Sequence, residues 1–114
     1  MTLLPEQLAS LAAEAAEEKK ARDVVILDIH DISVICDYFV ICSGLSSIQV
    51  KAVAENVEDQ LEKHGVRKFR IEGFKDARWI LLDYGSVVIH VFQEGDREFY
   101  NLEHLWGDAK VVHL

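Results

Sequence analysis

Cysteine is nearly missing from this 114-residue chain: there are two, Cys36 and Cys42, without CxxC spacing and in or beside an apolar run. That excludes a multi-bridge disulfide framework, and a reducing compartment fits the pair. Long hydrophobic runs are missing too, none approaching the roughly 20 residues of a membrane span. Residues 1–6 also lack the basic segment of a secretory signal, so a cytoplasmic protein without membrane attachment is expected. Basic charge is in short supply, with 12 Lys and Arg against 20 Asp and Glu, a net charge of -8 and a pI near 5.0. Binding phosphates requires a basic patch that displaces counterions, and these scattered cations do not suggest one. Direct attachment to nucleic acid is therefore disfavoured, whereas an acidic surface suits a basic protein partner.

What remains is the composition of a globular protein, 50% hydrophobic and 28% charged. Its length fits one domain, residues 1–114, with one core and no linker, repeat or low-complexity tract. Leu4, Leu8, Leu11, Ala12 and Ala15 form a helical stripe, with Thr2 placed to cap it, Pro5 in its first turn and an end near Lys20. The acidic and basic residues at 14, 17, 18, 19 and 20 read as a solvated helix face. Two β-branched runs, 24–29 and 37–42, predict strands. Val50, Val53, Ala54, Val57 and Leu61 then predict a second helix, opened by a capping box of Ser46 and Gln49 and closed around Lys63, His64 and Gly65. Strands over 68–71, 78–84 and 87–92 follow, the last two joined through Tyr84, Gly85 and Ser86 as a hairpin. Phe99, Leu102 and Trp106 recur at helical spacing, as core residues of a helix that Gly107 can end. The order α-β-β-α-β-β-β-α gives an α/β fold: a two-layer mixed sheet with helices on at least one face.

Catalytic motifs are sparse. Ser43, Gly44, Ser46 and Ser47 lie between a strand and a helix N-terminus, where phosphate could meet free amides. Neither a Walker ending nor three spaced glycines accompanies them, so capping is the plainer reading and nucleotide binding the alternative. Nucleotidyltransfer would need paired carboxylates just downstream to hold Mg²⁺, and residues 48–54 contain none. The five histidines show no short ligand spacing, so no metal or other cofactor is expected. Asp83, Ser86 and His90 could be imagined as a hydrolase set, but no nucleophile elbow supports it. His90 is either a hydrogen-bonded packing residue or part of a binding face, and the face is favoured.

Within the hairpin, alternation puts Trp79, Leu81 and Asp83 on one side and Ile80, Leu82 and Tyr84 on the other. One side should pack beneath the helices. The other would expose a Trp-Leu stripe flanked by carboxylates, the make-up of a protein interface, unless the sheet is covered on both faces.

Six segments taken in order carry a resemblance. They are Asp37-Tyr38-Phe39-Val40-Ile41; Ser43-Gly44 with Ser46-Ser47; Glu72-Gly73; Trp79-Ile80 with Leu82-Asp83-Tyr84-Gly85; Val88-Ile89-His90-Val91-Phe92; and Arg97, Phe99, Tyr100, Leu102, Glu103, Leu105, Trp106, Asp108 and Ala109. From about Asp28 to Ala109 the chain resembles the Iojap-like ribosomal silencing factors, departing from them at Gln49, where many members carry a basic residue. The resemblance implies a nucleotidyltransferase-like fold without enzymatic activity. It also implies binding to large-subunit ribosomal protein fourteen where the small subunit docks, which blocks subunit joining and represses translation when nutrients are short. Carried over by position, Trp79 and Leu81 become apolar anchors and Asp83 and Tyr84 polar or mixed contacts, with His90 and Glu94 as further members. Some relatives form homodimers, so a twofold contact is a second possible use of an apolar sheet face. Whether the outcome is repression or large-subunit assembly is left open by the sequence.

Overall fold

The computed structural model describes residues 3–101 and 110–112. Its elements run α1 (Pro5–Glu18), β1 (Arg22–Asp28), β2 (Tyr38–Gly44), α2 (Ser47–Lys63), β3 (Arg70–Glu72), β4 (Trp79–Asp83), β5 (Val87–Gln93), α3 (Glu94–Tyr100) and β6 (Lys110–Val112). The strands form one sheet in the order β3-β4-β5-β2-β1-β6. Among the described residues β2 and β5 pair in parallel and the other neighbours are antiparallel. The mixed α/β sheet is as expected, but the expected order ended on a helix and lacked β6. Three residues are too few to show a strand period, and β6 is placed by pairing Lys110, Val111 and Val112 with Asp28, Leu27 and Ile26. The predicted last helix is interrupted: α3 ends at Tyr100, where Asn101 takes a left-handed conformation at φ 47° and donates its N–H to Arg97 O, while Leu102, Trp106 and Gly107 lie outside the described residues.

Helix α1 starts later than expected. Leu4 occupies the cap position and its N–H donates to Gln7 Oε1 at 2.9 Å, while Pro5 takes the first helical position, where its missing N–H costs nothing. Thr2, the expected cap, lies outside the described residues. Helix α2 matches its predicted stripe, with Val50, Val53, Ala54, Val57 and Leu61 all fully buried. Both helices cover one sheet face, packing on Ile26, Val40, Cys42, Ile80, Leu82, Val87, Ile89 and Val91.

The loop 43–47 is occupied by the chain's own groups. Ser46 Oγ accepts from Gln49 N, and Gln49 Oε1 accepts from Leu45 N at 2.7 Å. The amide end of Gln49 reaches back to donate to the carbonyls of Lys19 and Lys20, joining the start of α2 to the end of α1. Gln49, the point of departure from the family pattern, thus splices two helix ends. At the far end of β1 the register shifts between Arg22 and Val25, and Asp23 has φ 50°. Arg97 locks this bulge: its buried guanidinium donates to Asp23 O at 2.7 Å and to Ser43 Oγ at 2.9 Å.

Candidate protein-docking face

The second sheet face is built by the alternate positions of the same strands. Val25 and Leu27 come from β1, Phe39 and Ile41 from β2, Val88, His90 and Phe92 from β5, and Trp79 and Leu81 from β4. Register sets the neighbours. Leu81 and Ile41 flank His90 on the two adjacent strands, and Trp79 lies opposite Phe92. The indole stacks on Phe92 with centroids 5.0 Å apart, and the Phe39 ring meets His90 edge-on at 4.7 Å. Such offset and edge arrangements are the favourable ones for aromatic quadrupoles.

A hydrogen bond fixes the centre of this cluster. Trp79 Nε1 donates to His90 Nδ1 at 3.0 Å. An indole can only donate, so Nδ1 is unprotonated and the neutral ring carries its proton on Nε2. Among the described residues Nε2 is buried without a hydrogen-bond partner. Charging this ring would both desolvate a cation and remove the acceptor that holds Trp79; burial pushes its pKa down to about 4.

The sign of the resulting pH dependence follows. Unfolded, His90 titrates near 6.5, so between that value and about 4 the unfolded chain binds more protons. This residue's contribution to stability is complete above about pH 6.5 and falls as pH drops toward 4. Exposed His30 acts in the opposite sense, its pKa raised by the Asp28 hydrogen bond and by Asp31. In His90→Asn the amide oxygen can replace Nδ1 as acceptor without titrating. Urea midpoints at pH 7 and pH 5 should therefore differ less in His90→Asn than in the unaltered chain; an equal difference would assign the acid sensitivity to other groups.

The remaining sequence-predicted contacts separate. Asp83 sits at the end of the Trp79-Leu81 row but is engaged within the chain, its Oδ1 accepting from Gly85 N at 2.8 Å and its Oδ2 from Arg70 Nε at 3.1 Å. Glu94, the first residue of α3, lies 3.6 Å from the Arg22 guanidinium beyond the opposite end of the face. The structure does not bring Tyr84 to this face. Its side chain is buried on the helix side, where burial and the nearby Glu58 and Glu62 push its pKa up. Phe39, Ile41 and Phe92 were missed as members. Alternation within β2 and β5 divides each strand into two sets, and the pairing register selects the set that joins Trp79.

The two cysteines are free and buried on opposite faces, and burial pushes their thiols up to about 11 for Cys36 and about 12 for Cys42. Among the described residues no three His, Cys, Asp or Glu side chains converge as metal ligands would.

The family described as "Ribosomal silencing factor during starvation" matches residues 3–114. The ribosomal silencing factor RsfS of Bacillus subtilis is 47% identical over 104 residues, covering 91% of this chain and 88% of that protein. Its namesake in Halalkalibacterium halodurans is 46% identical over 109 residues, covering 96% and 93%. A crystal structure of a Chromobacterium violaceum protein superimposes with a TM-score of 0.90 at 34% identity, covering 92% of this chain and 88% of that one. A mixed sheet carrying an aromatic face, the ordered motifs through its strands and this near full-length similarity agree: the chain belongs to the RsfS family of ribosomal silencing factors.

Proposed function

We propose that the chain acts as a single, non-enzymatic domain that binds large-subunit ribosomal protein fourteen, sterically blocks small-subunit joining and so represses translation. The observation that carries this reading is the Trp79-centred face. Trp79 and Leu81 stay partly exposed while Ile41, His90 and Phe92 around them are buried, which is the anatomy of an aromatic anchor on a supported platform. A net charge of -8 favours approach to a basic protein. Steric occlusion needs an interface and no bond-making. No described helix is long and apolar enough to cross a membrane, and the cytoplasm is where both subunits would be met.

Co-sedimentation with isolated large subunits, followed by addition of small subunits, tests the proposal. Binding with loss of whole ribosomes is expected; absence of binding across a range of salt would overturn it. The nucleotide-binding alternative has its own readout. Leu45 N and Gln49 N already have acceptors inside the chain, so adding ATP with Mg²⁺ should leave the melting temperature unchanged. A rise with ligand concentration would restore that alternative, since a ligand of the native state must stabilise it.

A further inference from the structure

Between β1 and β2 the chain makes a loop whose side chains break the usual rule of burial. Val34 is fully exposed, Ile35 is 78% exposed and Ile32 is 44% exposed. Scattered exposed aliphatics are ordinary, but three within four residues of one loop form a patch.

The backbone beneath them is built. Ile29 N donates to Asp37 O and closes the neck, while Ile32 N and Ser33 N both donate to Ile29 O. Ser33 Oγ accepts from Ile35 N, and Asp28 Oδ1 accepts from His30 N. Asp37 N and Tyr38 N donate to Ser86 O, fastening the loop to the β4-β5 turn. An organised loop therefore holds its aliphatic tip in water.

Its place and charge indicate what meets it. Ile29 and Cys36, the two roots of the loop, belong to the buried cluster under the Trp79 face. The neck of the loop lies at the end of the sheet opposite Trp79, roughly 17 Å away along five residues of strand. An ordinary interface of about 800 Å² per partner spans that distance. The surroundings are predominantly acidic: Glu6 and Asp37 line a shallow cavity with His30 and Tyr38, and Asp28 and Asp31 both pair with His30. The ionisation of Tyr38 is opposed by Asp28, Glu6 and Asp37 in addition to burial.

We infer that Ile32, Val34 and Ile35 form a second docking element, an apolar tip in an acidic surround that inserts into a basic ribosomal protein beside the surface met by Trp79. This inference rests on the function proposed above. With the unaltered chain and isolated large subunits as probe, Val34→Asp/Ile35→Asp should weaken co-sedimentation about tenfold or more, as for an interface anchor. Ile48→Asp, a change of an 80% exposed residue on α2, should not. Because Val34 and Ile35 contact little within the chain, circular dichroism and melting should be unchanged; Val34→Ser/Ile35→Ser supplies a milder version. Equal binding by the loop variants, with binding lost in Trp79→Ala, would overturn the loop inference and leave the Trp79 reading intact. Undiminished subunit binding accompanied by altered self-association would assign the tip to a second copy and also overturn it. If the unaltered chain itself does not sediment with large subunits, the proposed function fails and the loop inference falls with it.

Discussion

Trp79→Ala should weaken binding to isolated large subunits by roughly thirtyfold or more, the equivalent of about 2 kcal/mol. Truncation removes the indole that stacks on Phe92 and donates to His90. It also removes the donor to His90 Nδ1, in a cluster where an unpaired buried polar atom is costly. Part of the loss is therefore one of folding, and binding must be compared at equal folded fractions. Trp79→Phe separates the contributions by retaining a ring and losing the donor. Its affinity should fall between those of the unaltered chain and Trp79→Ala. Undiminished binding by a folded Trp79→Ala variant would remove Trp79 from the interface.

Gly73→Ala should destabilise the fold by about 3 kcal/mol or more. Gly73 has φ 79°, and a β-carbon there would stand 2.0 Å from the carbonyl oxygen of Trp79. The obstacle is the backbone of the first residue of β4, so no rotamer relieves it. Gly65 supplies the control, with a nearly identical φ of 78° and open space around the site. Gly65→Ala incurs conformational strain alone, about 1 kcal/mol. The difference between the two urea midpoints thus measures the collision. Equal losses would show that the β3-β4 connection can move aside. The Glu72-Gly73 pair is accordingly a seat for the Trp79 backbone, and a Gly73 variant that folds should also bind subunits more weakly.

Legibility followed the physical range of each signal. The α2 stripe and the β4 alternation were readable because each element has one covered face, which imposes a period on the sequence. Strand β5 is buried from Val87 through Phe92, so its run conceals which residues face the helices. Only register assigns His90 and Phe92 to the Trp79 side. The alternation already put Tyr84 opposite Trp79, and grouping the two came from the family resemblance. Ser46 and Gln49 announced a cap, but the carbonyls that Gln49 Nε2 meets are 29 and 30 positions away. The loop around Val34 carries no period, and its exposure becomes visible only when the neck formed by Ile29 and Asp37 is in place.

The parallel joint of β2 with β5 connects Tyr38 to Val87, 49 positions apart (87 − 38), whereas β1-β2 and β4-β5 are antiparallel neighbours in sequence. Long-range pairing of this kind is intrinsically slow, since chain entropy is lost before the contacts form. Phe39 and Ile41 belong to the earlier half of the chain, and Trp79, Leu81, His90 and Phe92 to the later half. The aromatic face therefore exists only after the halves have met. A chain emerging from a translating ribosome carries pieces of the face without the face itself, so under the proposed function the docking surface becomes available only when folding is complete.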